Sequence, residues 1–201
     1  AESDANSAFF LFAFIVGIFL MSILLMVQLN SFYQVFIIVS AVILSTAGVQ
    51  LGLLVTQQIS SALFTSLGVI ALAGIVVNNN IVLVDTYNVI SKENPDLSRD
   101  QIVIRTAAQR LRPIILTTAT TVIGLLPLAS GIGVDFYQRN IEIGGRVSEW
   151  WQPMSFAVVW GLTFASGLTL FLTPCWLMLP VAIRDTVRNI KKTFLKTASE
   201  R

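Results

Sequence analysis

The chain has 201 residues, of which 55% are hydrophobic and only 12% charged, with a formal net charge of +2. A mean hydropathy of +0.78 is too apolar for a soluble domain of this length. There is no histidine and only one cysteine, which excludes His-based metal sites, His-based catalytic triads and an internal disulfide.

Charge-free runs extend from Ala5 to Val84, from Pro113 to Val134 and from Trp150 to Ile183. A helix needs about 20 apolar residues to cross a bilayer, so the first run holds three spans and the others one each. The sequence therefore predicts an all-α membrane protein: five transmembrane helices and one cytoplasmic amphipathic helix. Residues 1–7, AESDANS, carry no initiator Met and no basic n-region, and the apolar run behind them is too long for a signal peptide. The expectation is a processed or excised chain with a short periplasmic stub.

The first three helices are expected within 8–88. The first covers 8–29 and is apolar all round, as suits a span facing lipid on much of its surface. After the turn NSFYQ (30–34), the second covers 33–55. Its Gly48 and Gly52 have the small-xxx-small spacing that lets another helix approach closely. The third covers 60–88 and contains GIVVNNNIVLVD (74–85). Gly74, Asn78 and Asp85 are separated by four and then seven residues and share a face, with Gly74 read as a site of close backbone approach. Asn79 and Asn80 point about 100° and 200° away, so at least two neighbouring helices, or a wet cavity, must receive the three amides. One reading is that they bond helices together, at about 0.6 kcal/mol per bond on average. Three in a row exceed what such bonding requires, and polar groups at membrane depth mark substrate or ion pathways.

Residues 89–111 form a polar cytoplasmic connection. Ser98 is placed to cap a helix, Gln101 to reach back from N3, and Asp100 to meet the positive end of the dipole. Ile104, Ala107, Ala108 and Leu111 then fall on one face, giving an amphipathic helix at a membrane surface, with a solvated linker helix as the alternative. Two more helices are expected within 112–181. The fourth starts at Pro113, a residue suited to a first helical turn, and covers 113–131. PIILTTATTVIGLLP places Thr117, Thr121 and Gly124 on one face. Threonines in such helices often bond to their own carbonyls, and the same hydroxyls are what a hydrated proton path needs. A periplasmic loop, 132–152, carries Asp135, Arg139, Glu142, Arg146 and Glu149 and ends in Trp150 and Trp151, a pair suited to an interfacial belt. The fifth helix covers 153–181. Gly161 and Ala165 form a second small-xxx-small pair, Pro174 is expected to kink or unwind it, and Cys175 reads as a small buried residue. Residues 182–201 form a basic cytoplasmic tail.

Basic residues set the orientation. Lys92, Arg99, Arg105, Arg110 and Arg112 lie between the third and fourth spans. Arg184, Arg188, Lys191, Lys192, Lys196 and Arg201 lie in the tail, against only Arg139 and Arg146 between the last two spans. Positive charge marks the cytoplasmic side, which puts the N-terminus outside and the C-terminus inside. No Asp, Glu, Lys or His lies deep within any span, and Asp85 sits at a cytoplasmic end. Any proton carried here needs a titrating group from elsewhere.

The stretch GIVVNNNIVLVDTYN (74–88), followed by RTAAQRLRPIILTTATTVIGLLPLA (105–129) and a final LTPCWLMLP (172–180), resembles the resistance-nodulation-division efflux permeases of the hydrophobe/amphiphile efflux type. The resemblance covers essentially the whole chain and matches the last five of that family's twelve spans. It implies a proton antiporter of a bacterial inner membrane, not an enzyme, that uses no cofactor and is driven by the proton motive force. It also implies that a membrane-embedded Asp pair in the first half binds the proton. Asn78 then stands where a residue, often Lys, faces that pair, and Thr117 and Arg110 resemble the Thr and Arg that join the relay; the amide of Asn79 and the cytoplasmic-end carboxylate of Asp85, read from the residues of the third helix, complete the expected relay set. The implied partners are the rest of the permease, two further copies in a homotrimer, a periplasmic adaptor, an outer-membrane channel and the lipid bilayer, with no nucleic acid. A stand-alone five-span accessory or regulatory subunit, and the protein-export branch of the same superfamily, are the alternatives.

Overall fold

The computed structural model describes the backbone of residues 2–57, 61–135 and 140–199. In chain order these form α1 (Glu2–Leu29), α2 (Phe32–Thr56), α3 (Ala62–Glu93), α4 (Arg99–Ala129), β1 (Ile132–Asp135), β2 (Asn140–Ile143) and α5 (Arg146–Ser199). All five helices are long and apolar enough to cross a membrane, so the chain is a multi-pass membrane protein. Asn30 and Gln57 adopt left-handed backbone (φ 48° and 51°) at the ends of α1 and α2. That conformation stops a helix and reverses the chain within a short turn.

α5 is the hub of the bundle and packs most extensively on α4, α2 and α3, whereas α1 lies at the edge against α2 and α3. Small residues make this possible. A Cβ added at Gly48 would stand 2.5 Å from Phe164 Cβ, and one at Gly52 would stand 2.6 Å from Trp160 Cγ. The two glycines, one turn apart on α2, thus receive two bulky aromatics one turn apart on the antiparallel α5. Gly161 meets Leu72 and Val49, and Ala165 is buried in the same core. Gly68, which sequence reading passed over, lies directly against the backbone of Met154 and the side chain of Ala157. The close approach expected at Gly74 does not occur among the described residues, because a Cβ there would meet nothing within 4 Å. A second core cluster, Ile37, Leu83, Val103, Ile114 and Leu177, ties α2, α3, α4 and α5 at the other end of the bundle. There the Tyr33 hydroxyl donates to the Trp176 carbonyl, and Phe36 stacks on Trp176 with ring centroids 5.6 Å apart.

Several expectations are corrected. The amphipathic segment 98–111 and the span 113–131 are one helix, α4, that runs through Pro113. Its N-terminus is as expected: Ser98 Oγ accepts from the Gln101 N–H and the Gln101 side chain accepts from the Ser98 N–H. Proline removes one N–H, the partner of the Gln109 carbonyl, and both residues lie at exposed positions. The face of this segment that enters the bundle is Ile102, Val103 and Thr106, while Ile104, Ala108 and Leu111 are exposed. α5 likewise continues through Pro174 and Pro180 without unwinding and extends through the tail to Ser199. Around Pro174, Thr173 bonds to Asn80 of α3 and Leu177 packs in the cluster with α2, α3 and α4, which holds the helix where a hydrogen bond is missing. Cys175 is exposed rather than buried. The loop 132–152 contains an antiparallel hairpin that pairs Ile132 with Ile143 and Val134 with Ile141. Ser60, Arg139 and Arg201 lie outside the described residues, as do the side chains of Glu142, Arg146, Glu149 and the basic tail.

Candidate functional site

The 32 residues of α3 rise about 48 Å, against about 30 Å for a hydrocarbon core. The Asn triplet lies near the middle of this length, and Asp85 and Asn88 lie nearer its C-terminal end. With Asn80 as origin and about 100° per residue, Gly74, Asn78 and Asp85 fall between about 120° and 160°. Asn88 falls near about 80°, and Thr86 near about 240°.

The three asparagines have different surroundings. Asn80 is completely buried (0% exposed) between α3 and α5. Its Nδ2 donates to the Val76 carbonyl at 2.9 Å and to Thr169 Oγ1 at 3.2 Å. Its Oδ1 accepts from the Thr173 hydroxyl at 2.8 Å. Asn80 therefore acts as helix-to-helix bonding. Asn78 is exposed and Asn79 half-buried, and neither forms a side-chain hydrogen bond among the described residues. Asn78 belongs to a longer uncovered stripe. Leu63, Leu67 and Ile70 lead into Gly74 and Asn78 at three- and four-residue steps, and Val82, Asp85 and Val89 continue it; all are exposed. The stripe is apolar at one end, polar at its middle and acidic toward the other end. An unpaired amide transferred to pure hydrocarbon costs on the order of 4–8 kcal/mol, so a stripe with Asn78 at its centre is built to face protein or water rather than lipid.

Arg110 on α4 donates from Nε to Thr86 Oγ1 at 2.5 Å, and Thr86 in turn donates to the Val82 carbonyl at 2.7 Å. Arg110 is thus bonded to the hydroxyl of the residue that follows Asp85 in sequence. The threonines of α4 divide. Thr117 bonds to the Ile114 carbonyl at 3.1 Å, and Thr121 to the Thr117 carbonyl at 2.8 Å. Thr118 instead meets Ser166 Oγ on α5 at 2.6 Å. Thr117 is exposed, and Thr120 and Gly124 near it on α4 are exposed as well. Asn78 and Thr117 share no hydrogen bond, so α3 and α4 each present a separate uncovered polar position.

A third clamp, not singled out from the sequence, joins α2 to α3. Gln34 and Asn88 exchange two amide hydrogen bonds, at 2.7 and 3.0 Å. Thr169, Thr173, Thr86, Gln34 and Asn88 were all missed, because isolated polar residues in apolar helices have no partner visible in sequence. The one available signal is the spacing of Thr169 and Thr173, one turn apart on α5.

Near the other end, a cleft of about 270 Å³ lies between α1, α2 and α3, lined by Ser7, Gln50, Thr65 and Ser66 among phenylalanines and aliphatics. The Thr65 hydroxyl there is buried without a hydrogen-bond partner. No lining group of this cleft ionises near neutral pH. Among the described residues no group of three or more metal-ligating acidic or cysteine side chains exists. Amides and hydroxyls of this kind accept and donate hydrogen bonds and hold water, but they do not carry a proton themselves.

Comparison with known proteins gives a consistent result. A model of the AcrB/AcrD/AcrF family matches residues 1–180. Multidrug resistance protein MdtC of Citrobacter koseri is 33% identical over 134 residues, which cover 65% of this chain and 12% of that protein. Swarming motility protein SwrC of Bacillus subtilis is 31% identical over 162 residues, covering 81% of this chain and 14% of that protein. A crystal structure of a heavy metal efflux pump superposes with a TM-score of 0.64 at 29% identity, covering 81% of this chain and 15% of the pump. The chain spans only 12% of the length of MdtC.

Proposed function

Because the chain belongs to the AcrB/AcrD/AcrF family, we propose that it is the C-terminal transmembrane part of a proton-driven efflux permease and supplies one wall of the proton relay. The observation that carries this reading is the stripe on α3, whose polar centre at Asn78 is left exposed among the described residues. In this reading the stripe faces the rest of the permease, where a membrane carboxylate pair binds the proton. Asn78 donates a hydrogen bond to that pair, and Asn79 keeps water beside it. Thr117 extends the path along α4. Arg110, held by Thr86, and Asp85 tune proton passage at the cytoplasmic end. The N-terminus is periplasmic and the C-terminus cytoplasmic, in a bacterial inner membrane. The assembled permease is a homotrimer that works with a periplasmic adaptor and an outer-membrane channel, and parts outside this segment choose the exported substrate. The family match over residues 1–180 supports a permease segment over a stand-alone accessory subunit.

The test is Asn78→Ala in the full permease, with membrane abundance monitored. Proton-coupled export is expected to fall at least about tenfold, equivalent to about 1.4 kcal/mol of lost coupling. Export at the unaltered rate removes Asn78 from the relay and this reading with it.

A further inference from the structure

We infer that Asn80 is a positioning residue: its clamp on Thr169 and Thr173 sets the rotation and axial register of α3, and so aims Asn78 and Asp85 out of the bundle. The inference rests on the reading of that stripe as a relay wall, and it assigns a role to the one asparagine of the triplet that cannot face a proton path.

The geometry is specific. Asn80 lies about 160° around the helix from Asn78, close to diametrically opposite. Its amide uses both ends: Nδ2 reaches Thr169 at 3.2 Å and Oδ1 receives Thr173 at 2.8 Å. The two threonines stand one turn apart on α5, both buried, so the amide is gripped from above and below along the axis. A one-residue slip of α3 along α5, or a rotation by one residue, breaks both bonds. Apolar packing alone does not define this angle. α3 is hydrophobic on both faces, with Leu72, Val76, Leu83 and Val84 buried on one and Leu63, Leu67, Ile70 and Val82 exposed on the other, and apolar side chains tolerate small rotations that directional bonds do not.

The other clamps on α3 agree with this assignment. Thr86 binds Arg110 of α4, and Asn88 binds Gln34 of α2. Measured from Asn80, these lie at about 240° and 80°, one on each side of the uncovered stripe. Polar bonds thus tie α3 to three different helices, and among the described residues the widest sector without a tie is that of Gly74, Asn78 and Asp85. Asn80 is the clamp nearest Asn78 along the helix and the only one of the three that is completely buried.

The experiment measures the rotation directly, without transport. Single cysteines at positions 70 to 85 other than 80, in a Cys175→Ser background, carry a nitroxide label in the 201-residue chain, held at one copy per lipid nanodisc. Collision with oxygen, which dissolves in lipid, reports which positions are uncovered. Maxima are expected at 70, 74, 78 and 82, with minima at 72, 76 and 83. In Asn80→Ala, and in Thr169→Val/Thr173→Val, the pattern is expected to shift by about half a residue, some 50°, or to lose its contrast. The exchange Asn80→Thr with Thr173→Asn should restore it. An unmoved pattern in folded Asn80→Ala overturns the inference, even if that variant unfolds more easily, because a merely stabilising bond leaves the angle unchanged. If Asn80→Ala does not fold, the two-threonine variant decides by the same criterion. A moved pattern together with normal export by Asn78→Ala in the full permease overturns the relay reading and leaves the clamp standing. The reverse pair of results overturns the clamp alone.

Discussion

Alanine at Gly48 and alanine at Gly74 are the same chemical change in two helices of one bundle, and the structure gives them opposite signs. A Cβ at Gly48 would lie 2.5 Å from Phe164 Cβ and 2.7 Å from its ring carbons. Carbon atoms pack best at about 3.5–4.0 Å, so the shortfall is about 1 Å. The nearest atom is a Cβ fixed to the α5 backbone, and no rotamer of Phe164 relieves it. The two helices must part, or the ring must leave its groove. Overpacking of this kind costs about 1–3 kcal/mol, offset by about 1 kcal/mol because alanine favours helix over glycine. Gly74→Ala meets nothing within 4 Å, so only the favourable part remains, about 0.5–1 kcal/mol. The expected separation between the two variants is about 1–3 kcal/mol, with Gly48→Ala the less stable. The assay is equilibrium unfolding of the chain by SDS in mixed micelles, followed by helical circular dichroism and by the fluorescence of Trp160, which lies one turn away at the same seam. Equal stability of the two variants, or a larger loss at Gly74, would refute the packing deduced for α2 and α5.

Two further outcomes follow from other parts of the bundle. A double-mutant cycle on Gln34→Ala and Asn88→Ala should show a coupling of about 0.6–1.7 kcal/mol, the range for hydrogen bonds between membrane helices; additive losses would show that the paired amides do not stabilise the contact of α2 with α3. A cysteine at the exposed Arg105, in a Cys175→Ser background, should react with an impermeant maleimide only from the cytoplasmic side, and labelling from the periplasm would invert the proposed orientation.

The five spans were legible because uncharged runs of the right length leave a chain few choices in a bilayer. The Ser98–Gln101 cap was legible because it is local, contained within four residues. Which asparagine faces inward was not. Periodicity shows that Asn78 and Asn80 point apart, but α3 is apolar over most of its circumference, so no amphipathic pattern tells the buried face from the open one. The deciding partners, Thr169 and Thr173, lie about 90 residues away and read as ordinary membrane threonines that bond to their own carbonyls. Pro113 misled for a related reason. Proline suits a helix start, but one missing N–H at an exposed position does not end a helix that α3 and α5 hold on either side of it. The hairpin at 132–143 did leave a trace, the alternation of Ile132 with Val134 and of Ile141 with Ile143, yet four residues per strand are too few to stand out from a charged loop. Glycine spacing identified Gly48, Gly52 and Gly161 as places for close approach, but it reads Gly74 the same way, since spacing on one helix carries no information about whether a neighbour is present.

The central claim is that this chain holds one wall of a proton relay whose titrating groups lie outside it. The most direct measurement is proton flux into liposomes that carry the purified 201-residue chain, read by a trapped pH-sensitive dye under an imposed pH gradient with a potassium shunt. The spans contain no deep carboxylate, lysine or histidine, and asparagine and threonine do not ionise near neutral pH. Flux indistinguishable from empty liposomes is therefore expected. A saturable proton flux that disappears in Asn78→Ala would show that the relay is complete within this chain and would contradict the claim.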